Sequence, residues 1–475
     1  MAEDPRQPNS SSTITRRKVL ASSSVIALSS LAGCSGGGDG DGDGGDGGSD
    51  GGGSTDGGSG SVTIDLLTSG RFPAQKKADA KIAEDFKEET GNTVNMIDAT
   101  GGNWTGRYST MLQGGNPPEI AGPVSIAQIA GIYDQGQLAP LSETFSAIND
   151  EIGGTLPKHL LIEDKGDIWT VPFMTKPFMI NYRTDYFANT ETEISDVTDV
   201  EWDSYLQATS QVDQAGNPGT AQNFAGGPAG SINTWMWLWS NGANVFEERN
   251  GEIAVTFDKS PHKSRVVETL EYLQKMNQYN ILGANAGWLD NRAGVVKEGA
   301  GSTYFTIGAV IEQYQIDDKP DMTSKVSGMH MPTNRERKNA GNHWVAPMSM
   351  AVSKNSANPD VGRDFIEFYS THPKRFDVMN SVPHHLTPVT KAGFENEQYQ
   401  SNPEIKNRPK LVEINKAVLD KSQPLIFTPS GAMNLAASQA YTSGTIGKLA
   451  SRVMHGNASI EDSISATAKE LRGML

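Results

Sequence analysis

The chain has 475 residues, a single cysteine and a formal net charge of −16. One cysteine excludes an internal disulfide, and the acidic balance excludes a general nucleic-acid binder, which needs a basic face. The length exceeds the ~250 to 300 residues at which one hydrophobic core stops growing, so more than one lobe is expected.

The first 33 residues read as an address. Arg16, Arg17 and Lys18 precede an apolar stretch of 14 residues, Val19 to Ala32, followed by Gly33 and Cys34. That stretch falls short of the ~20 residues needed to span a bilayer, and it has the layout of an export signal. The segment Thr15 to Leu20 resembles a twin-arginine signal, and Leu31-Ala32-Gly33-Cys34 resembles a lipoprotein box, in which the cysteine carries the lipid. Residues 35–60 contain only Gly, Asp, Ser and Thr, with six aspartates and no apolar side chain. Such a segment has nothing to bury and reads as a disordered tether, spanning roughly 25 to 30 Å on average. Asp39, Asp41, Asp43, Gly44 and Asp50 have a calcium-loop spacing, but Asp46 replaces the usual apolar residue and no helix pattern flanks them, so no metal is expected. Removal of residues 1–33 leaves 36 basic and 54 acidic residues, a charge of −18. So acidic a surface suits a high-salt environment, where screening removes self-repulsion.

The body, 62–475, opens with alternating elements. Val62 to Leu67 reads as a strand, and a helix follows with Ala78, Ile82 and Phe86 on one face, stopped at Thr90-Gly91. Thr93 to Asp98 is the next strand, and Trp104 to Leu112 a shorter helix. After Pro117-Pro118-Glu119-Ile120-Ala121, a helical stripe of Ile126, Ile129, Ala130 and Tyr133 completes a βαβαβα run. Such runs make parallel sheets that bind ligands beyond the carboxyl ends of their strands.

Leu112-Gln113-Gly114-Gly115-Asn116-Pro117-Pro118-Glu119-Ile120 and Tyr133-Asp134-Gln135-Gly136-Gln137-Leu138-Ala139-Pro140-Leu141 resemble stretches of the extracellular solute-binding proteins of family 1, the maltose-binding-protein-like receptors of ABC importers. Further matches keep the family's order: Ile168 to Phe173, Asn181 to Asp185, Glu201 to Leu206, Asn241 to Ala243 and Arg363 to Tyr369. The resemblance implies a two-lobed, periplasmic-binding-protein-like (type II) α/β fold with hinge crossings, expected near Thr170 to Pro172, Val326 to Met331 and Ser370 to Lys374. Lobe 1 would comprise 62–171 with 329–372, and lobe 2 would comprise 172–328 with 373–475. The implied function is capture of a small solute, a sugar or similar polar molecule, and its delivery to an ABC permease and its ATPase. The protein would be a monomer of a halophilic archaeon, lipid-anchored through Cys34 at the cell surface, with no cofactor and no catalytic residue.

Sugar sites combine aromatic faces with polar groups for the hydroxyls, which selects the following candidates. Ser69 and Arg71 follow the first strand, Asn103 and Trp104 follow the second, and Ser125 precedes the Ile126 stripe. Trp235, Trp237 and Trp239 are expected in a core helix, with Ser231 and Asn233 before them turned to the cleft. Trp344 is the preferred stacking residue, after His343, and Tyr441 on a late helix is a second aromatic contact. His384 and His385 lie either at the cleft or at the surface. Gly122-Pro123-Val124 and Thr306-Ile307-Gly308-Ala309 lack aromatics that relatives carry nearby, which argues against a long maltodextrin stack. An exported carbohydrate-active hydrolase and a receptor for a glycerophosphodiester are the alternatives.

Overall fold

A computed structural model describes residues 61–99, 103–152, 156–337 and 344–475, all within a unit spanning Gly60–Leu475. The leader, Cys34, the aspartates of the tether and His343 lie outside the described residues. The opening alternation is present as β1 (Thr63–Ser69), α1 (Pro73–Thr90), β2 (Thr93–Ala99), α2 (Trp104–Gln113), β3 (Ile120–Ser125) and α3 (Ile126–Asp134). Pro73 starts α1, where its missing N–H is no loss. Ala78, Ile82 and Phe86 are buried at helical spacing, and Gly91 closes the helix in the left-handed region, its N–H on the Lys87 carbonyl. Ile82 and Phe86 each contribute about 1.5 to 3 kcal/mol on burial, in a segment whose Ala, Lys and Glu residues are themselves good helix formers.

The remaining strands are β4 (Leu138–Ala139), the hairpin of β5 (Glu163–Asp164) and β6 (Asp167–Ile168), β7 (Val171–Pro177), β8 (Met179–Arg183), the hairpin of β9 (Phe246–Arg249) and β10 (Glu252–Val255), β11 (Ser302–Phe305), β12 (Val326–Met329) and β13 (Val345–Ser353). Two sheets dominate. The larger has the order β2-β1-β3-β13-β4, with β7 also paired to β13. Its first three strands are parallel, with Leu67 opposite Ile97 and Leu66 opposite Ile120. β13 runs antiparallel through its middle and is buried along its whole length, which explains its near-continuous apolar sequence. β3 and β13 approach closely at Gly122, where a Cβ would stand 2.2 Å from the Ser349 carbonyl oxygen and φ is +121°; only glycine meets both conditions. The smaller sheet is antiparallel, in the order β11-β8-β12.

The sheets are joined where the chain changes from one to the other. Phe178 alone separates β7 from β8, so the first change of sheet comes downstream of the expected Thr170 to Pro172. The physical reason is the ladder from Met350–Val171 to Val345–Pro177, which keeps 172–177 in the larger sheet. The return falls between the end of β12 at Met329 and the start of β13 at Val345, whereas the expected Val326 to Met331 begins inside β12. A further connection comes from 383–390, where Thr387 exchanges backbone hydrogen bonds with Thr175 at 2.9 and 2.8 Å. Late in the chain, helix Leu435–Thr442 packs on α3 and helix Thr445–Met454 on helix Pro228–Ser240. Trp235, Trp237 and Trp239 of the last are buried, as expected for a core helix. No described helix is long and apolar enough to cross a membrane.

Candidate functional site

β1, β2 and β3 are parallel and end on the same side of the larger sheet, at Ser69, Ala99 and Ser125. Beyond these ends the larger sheet meets the elements around the smaller one. The Phe72 ring, just after β1, lies 5.3 Å edge-on from His385. The Arg292 guanidinium, on helix Trp288–Val296 beside β11, sits 5.3 Å above the same ring. Phe178, at the change of sheet, packs 4.5 Å from Trp344 and 5.7 Å from Trp288. Trp288 and Trp344 are stacked at 6.5 Å and 24°, and Trp344 is 6.3 Å from Tyr441. The two connecting segments are themselves bonded, the Phe178 N–H donating to the Trp344 carbonyl at 3.4 Å. Four rings from distant parts of the chain therefore form one cluster at the junction. Trp288 is half-buried there, while Trp344 and Tyr441 are buried.

Polar groups border the cluster. Lys176 is half-buried at the end of β7, and burial lowers its ammonium to about 8, against an opposing pull from Asp98. Asp98 pairs with Lys76 at 2.7 Å and leaves its Oδ1 buried without a partner. His385 is buried, its Nδ1 2.6 Å from the Thr306 hydroxyl and its Nε2 unpartnered. Burial foremost, then the positive charges of Lys176 and Arg292, hold the imidazole well below its ordinary range, so it is neutral.

The candidates from sequence divide into two sets. Trp344 and Tyr441 join the ring cluster, Ser69 is half-buried at the end of β1, and Ser125 ends β3 with its hydroxyl buried and unpartnered. The other set serves packing. Trp104 has no exposed surface; its Nε1–H donates to the Leu67 carbonyl at 2.9 Å and its ring stacks on Tyr108 at 5.5 Å, so it offers no face to a solute. Arg71 is committed to Asp79 at 3.1 Å, and Tyr369 donates to the same carboxylate at 2.5 Å. Ser231 is fully buried and accepts from the Gly447 N–H at 2.9 Å, and Asn233 donates to the Asn223 carbonyl at 2.9 Å; both tie helix Pro228–Ser240 to its neighbours. Asn103 is exposed just before α2.

Sequence reasoning passed over Phe178, Lys176, Trp288, Arg292 and Thr306. One signal was available: Phe178 follows the matched stretch Ile168 to Phe173 and precedes Asn181 to Asp185, the interval in which a sheet must change. A cavity of about 70 Å³ lies behind β7, lined by Pro172, Phe173, Ser370 and Arg375 among others.

Two α/β bodies, joined at Phe178 and between β12 and β13 and meeting through aromatic and charged side chains at strand ends, define a two-lobed solute receptor. No curated protein matches the chain at significant sequence similarity. The chain belongs to the family of bacterial extracellular solute-binding proteins, whose sequence profile matches residues 69–374. Solved structures share its fold at low identity. The GacH receptor of Streptomyces glaucescens, described unliganded and with acarbose, matches with a TM-score of 0.70 at 16% identity over 87% of this chain and 98% of that one. Maltose-bound MalE3 of T. maritima matches at 0.69 and 17% over 87% and 100%. A sugar transporter protein of Arthrobacter chlorophenolicus with bound laminaribiose matches at 0.68 and 18% over 87% and 99%.

Proposed function

We propose that this chain is the extracellular substrate-binding component of an ABC importer, capturing a sugar or similar polar solute at the junction of its lobes and handing it to a membrane permease. The ring cluster of Phe178, Trp288, Trp344 and Tyr441 carries the reading, because sugar recognition needs flat apolar faces beside hydrogen-bonding groups. Structural relatives hold laminaribiose, tagatose and mannitol, which supports a hydroxylated ligand. The rings touch one another across the junction, so a solute reaches them only when the lobes part about Phe178 and the connection from β12 to β13, and binding then biases the closed state.

The chain acts without catalysis in this reading. A glycosidase needs two carboxyl groups ~5 to 9.5 Å apart across the scissile bond, whereas the charged groups nearest His385 are the cations Lys176 and Arg292. Residues 1–33 export the chain, Cys34 anchors the monomer by lipid at the surface of a halophilic cell, and the tether lets the body reach the permease.

A thermal-shift panel of solutes in high salt tests this. One solute class should stabilise the protein by RT ln(1 + [L]/Kd), about 2.7 kcal/mol at a hundredfold excess over Kd, with compaction in small-angle scattering. Turnover of an oligosaccharide, or silence across the panel, would contradict it.

A further inference from the structure

The geometry points to an anionic group on the captured solute, a carboxylate or phosphate carried by a polyhydroxylated molecule and held between Lys176, Arg292 and His385. This rests on the receptor reading above and adds the charge of the ligand to it. Lys176 comes from the end of β7 and Arg292 from the helix beside β11, so the two cations approach from opposite lobes. Neither has a carboxylate within ion-pair distance among the described residues, whereas Lys76 pairs with Asp98 at 2.7 Å and Arg71 with Asp79 at 3.1 Å. Glu312 and Asp317 act on Arg292 only from a distance.

His385 completes the set. It is 5% exposed, sits 5.3 Å from the Phe72 ring that Arg292 covers, and has a buried Nε2 with no partner. An anion at Nε2 requires the neutral tautomer protonated there, with the Thr306 hydroxyl, 2.6 Å from Nδ1, as the donor to that nitrogen. A buried donor without an acceptor is costly, and two half-buried cations that no carboxylate contacts are costlier. An anion with two or three oxygens relieves all three groups at once, through charge-assisted hydrogen bonds. The unpartnered Oδ1 of Asp98 has the opposite need: it accepts, and a solute hydroxyl supplies the donor. An acidic polyol satisfies both ends of the site, whereas a neutral sugar leaves the cations unpaired.

Titration calorimetry of the full chain with D-glucuronate, D-glucose 6-phosphate and neutral D-glucose tests the assignment and separates carboxylate from phosphate. At least one acidic solute should bind tenfold or more tightly than glucose. Lys176→Met and Arg292→Met should each reduce that preference at least tenfold, while Lys176→Arg retains it; melting temperatures of the variants report whether the fold survives. Equal or tighter binding of glucose, or a preference that survives both methionine variants, would overturn the anion site and leave the receptor standing. Silence toward acidic and neutral solutes alike would overturn both.

Discussion

Gly308→Ala is a sharp test of how the junction is built. Gly308 is the second residue of helix Ile307–Ile316, where alanine would ordinarily be better than glycine by about 1 kcal/mol. Here the added Cβ would lie 2.0 Å from the Pro383 carbonyl oxygen, 2.3 Å from the His385 nitrogen and 2.6 Å from the His384 carbonyl carbon. All three are backbone atoms, so no side chain can rotate away and the segment 383–385 must retreat. Overpacking of this kind costs about 1 to 3 kcal/mol, and loss of the Thr306–His385 hydrogen bond adds about 1 kcal/mol. These outweigh the gain in helix propensity and leave a net loss of about 1 to 3 kcal/mol. At ~2 °C per kcal/mol, the low end for large domains, calorimetry should show the melting temperature fall by about 2 to 6 °C. Solute affinity should fall as well, because His385 moves. An unchanged or raised melting temperature with affinity intact would mean that this loop does not pack on the helix as described.

Two tryptophans that both open helices should respond differently. Trp104→Ala, removing a fully buried ring and its hydrogen bond to Leu67, should cost about 3 to 5 kcal/mol of stability in denaturant unfolding, whereas Trp288→Ala, half-buried at the junction, should chiefly weaken solute binding in calorimetry. Ser231→Ala should cost about 1 to 3 kcal/mol by leaving the buried Gly447 N–H without an acceptor, with solute affinity unchanged; an affinity loss at constant stability would return Ser231 to the binding site. His384 is buried, bonded to Glu404 and Asn415, and burial lowers its folded-state pKa to about 4. The unfolded chain, titrating near 6.5, then binds more protons than the folded one between about pH 6.5 and 4, so stability is lost as pH falls through that window, by up to about 3 kcal/mol. His384→Asn suits the left-handed backbone there (φ +62°) and should flatten the pH dependence of the melting temperature between pH 6.5 and 4. A slope identical to wild type would refute the assignment.

The opening βαβαβα run was readable because local chemistry sets it. Apolar residues at period 3.6 marked the buried face of α1, Gly91 marked its end, and the strands fell between the breaks. Family-like stretches from Leu112 to Tyr369 announced the family, and the profile match over 69–374 agrees. Residue roles were less legible. Arg71 looks like a free cation after a strand, yet Asp79 claims it one turn into α1. The histidine pair, equally compatible with cleft or surface, is buried on both sides of the chain.

By itself, the sequence determined the class of fold, the acidic character and the order of the opening elements, because each depends on composition or on neighbours within a turn or two of chain. Only the tertiary structure decided which aromatic faces meet. Phe178, Trp288, Trp344 and Tyr441 are scattered over more than half of the body, and Trp104 and Trp288 are alike in local context, each the first residue of a helix. One is sealed under β1 and the other stands at the junction because of where the two sheets place their helices. That placement is a matter of long-range packing, which no local pattern encodes.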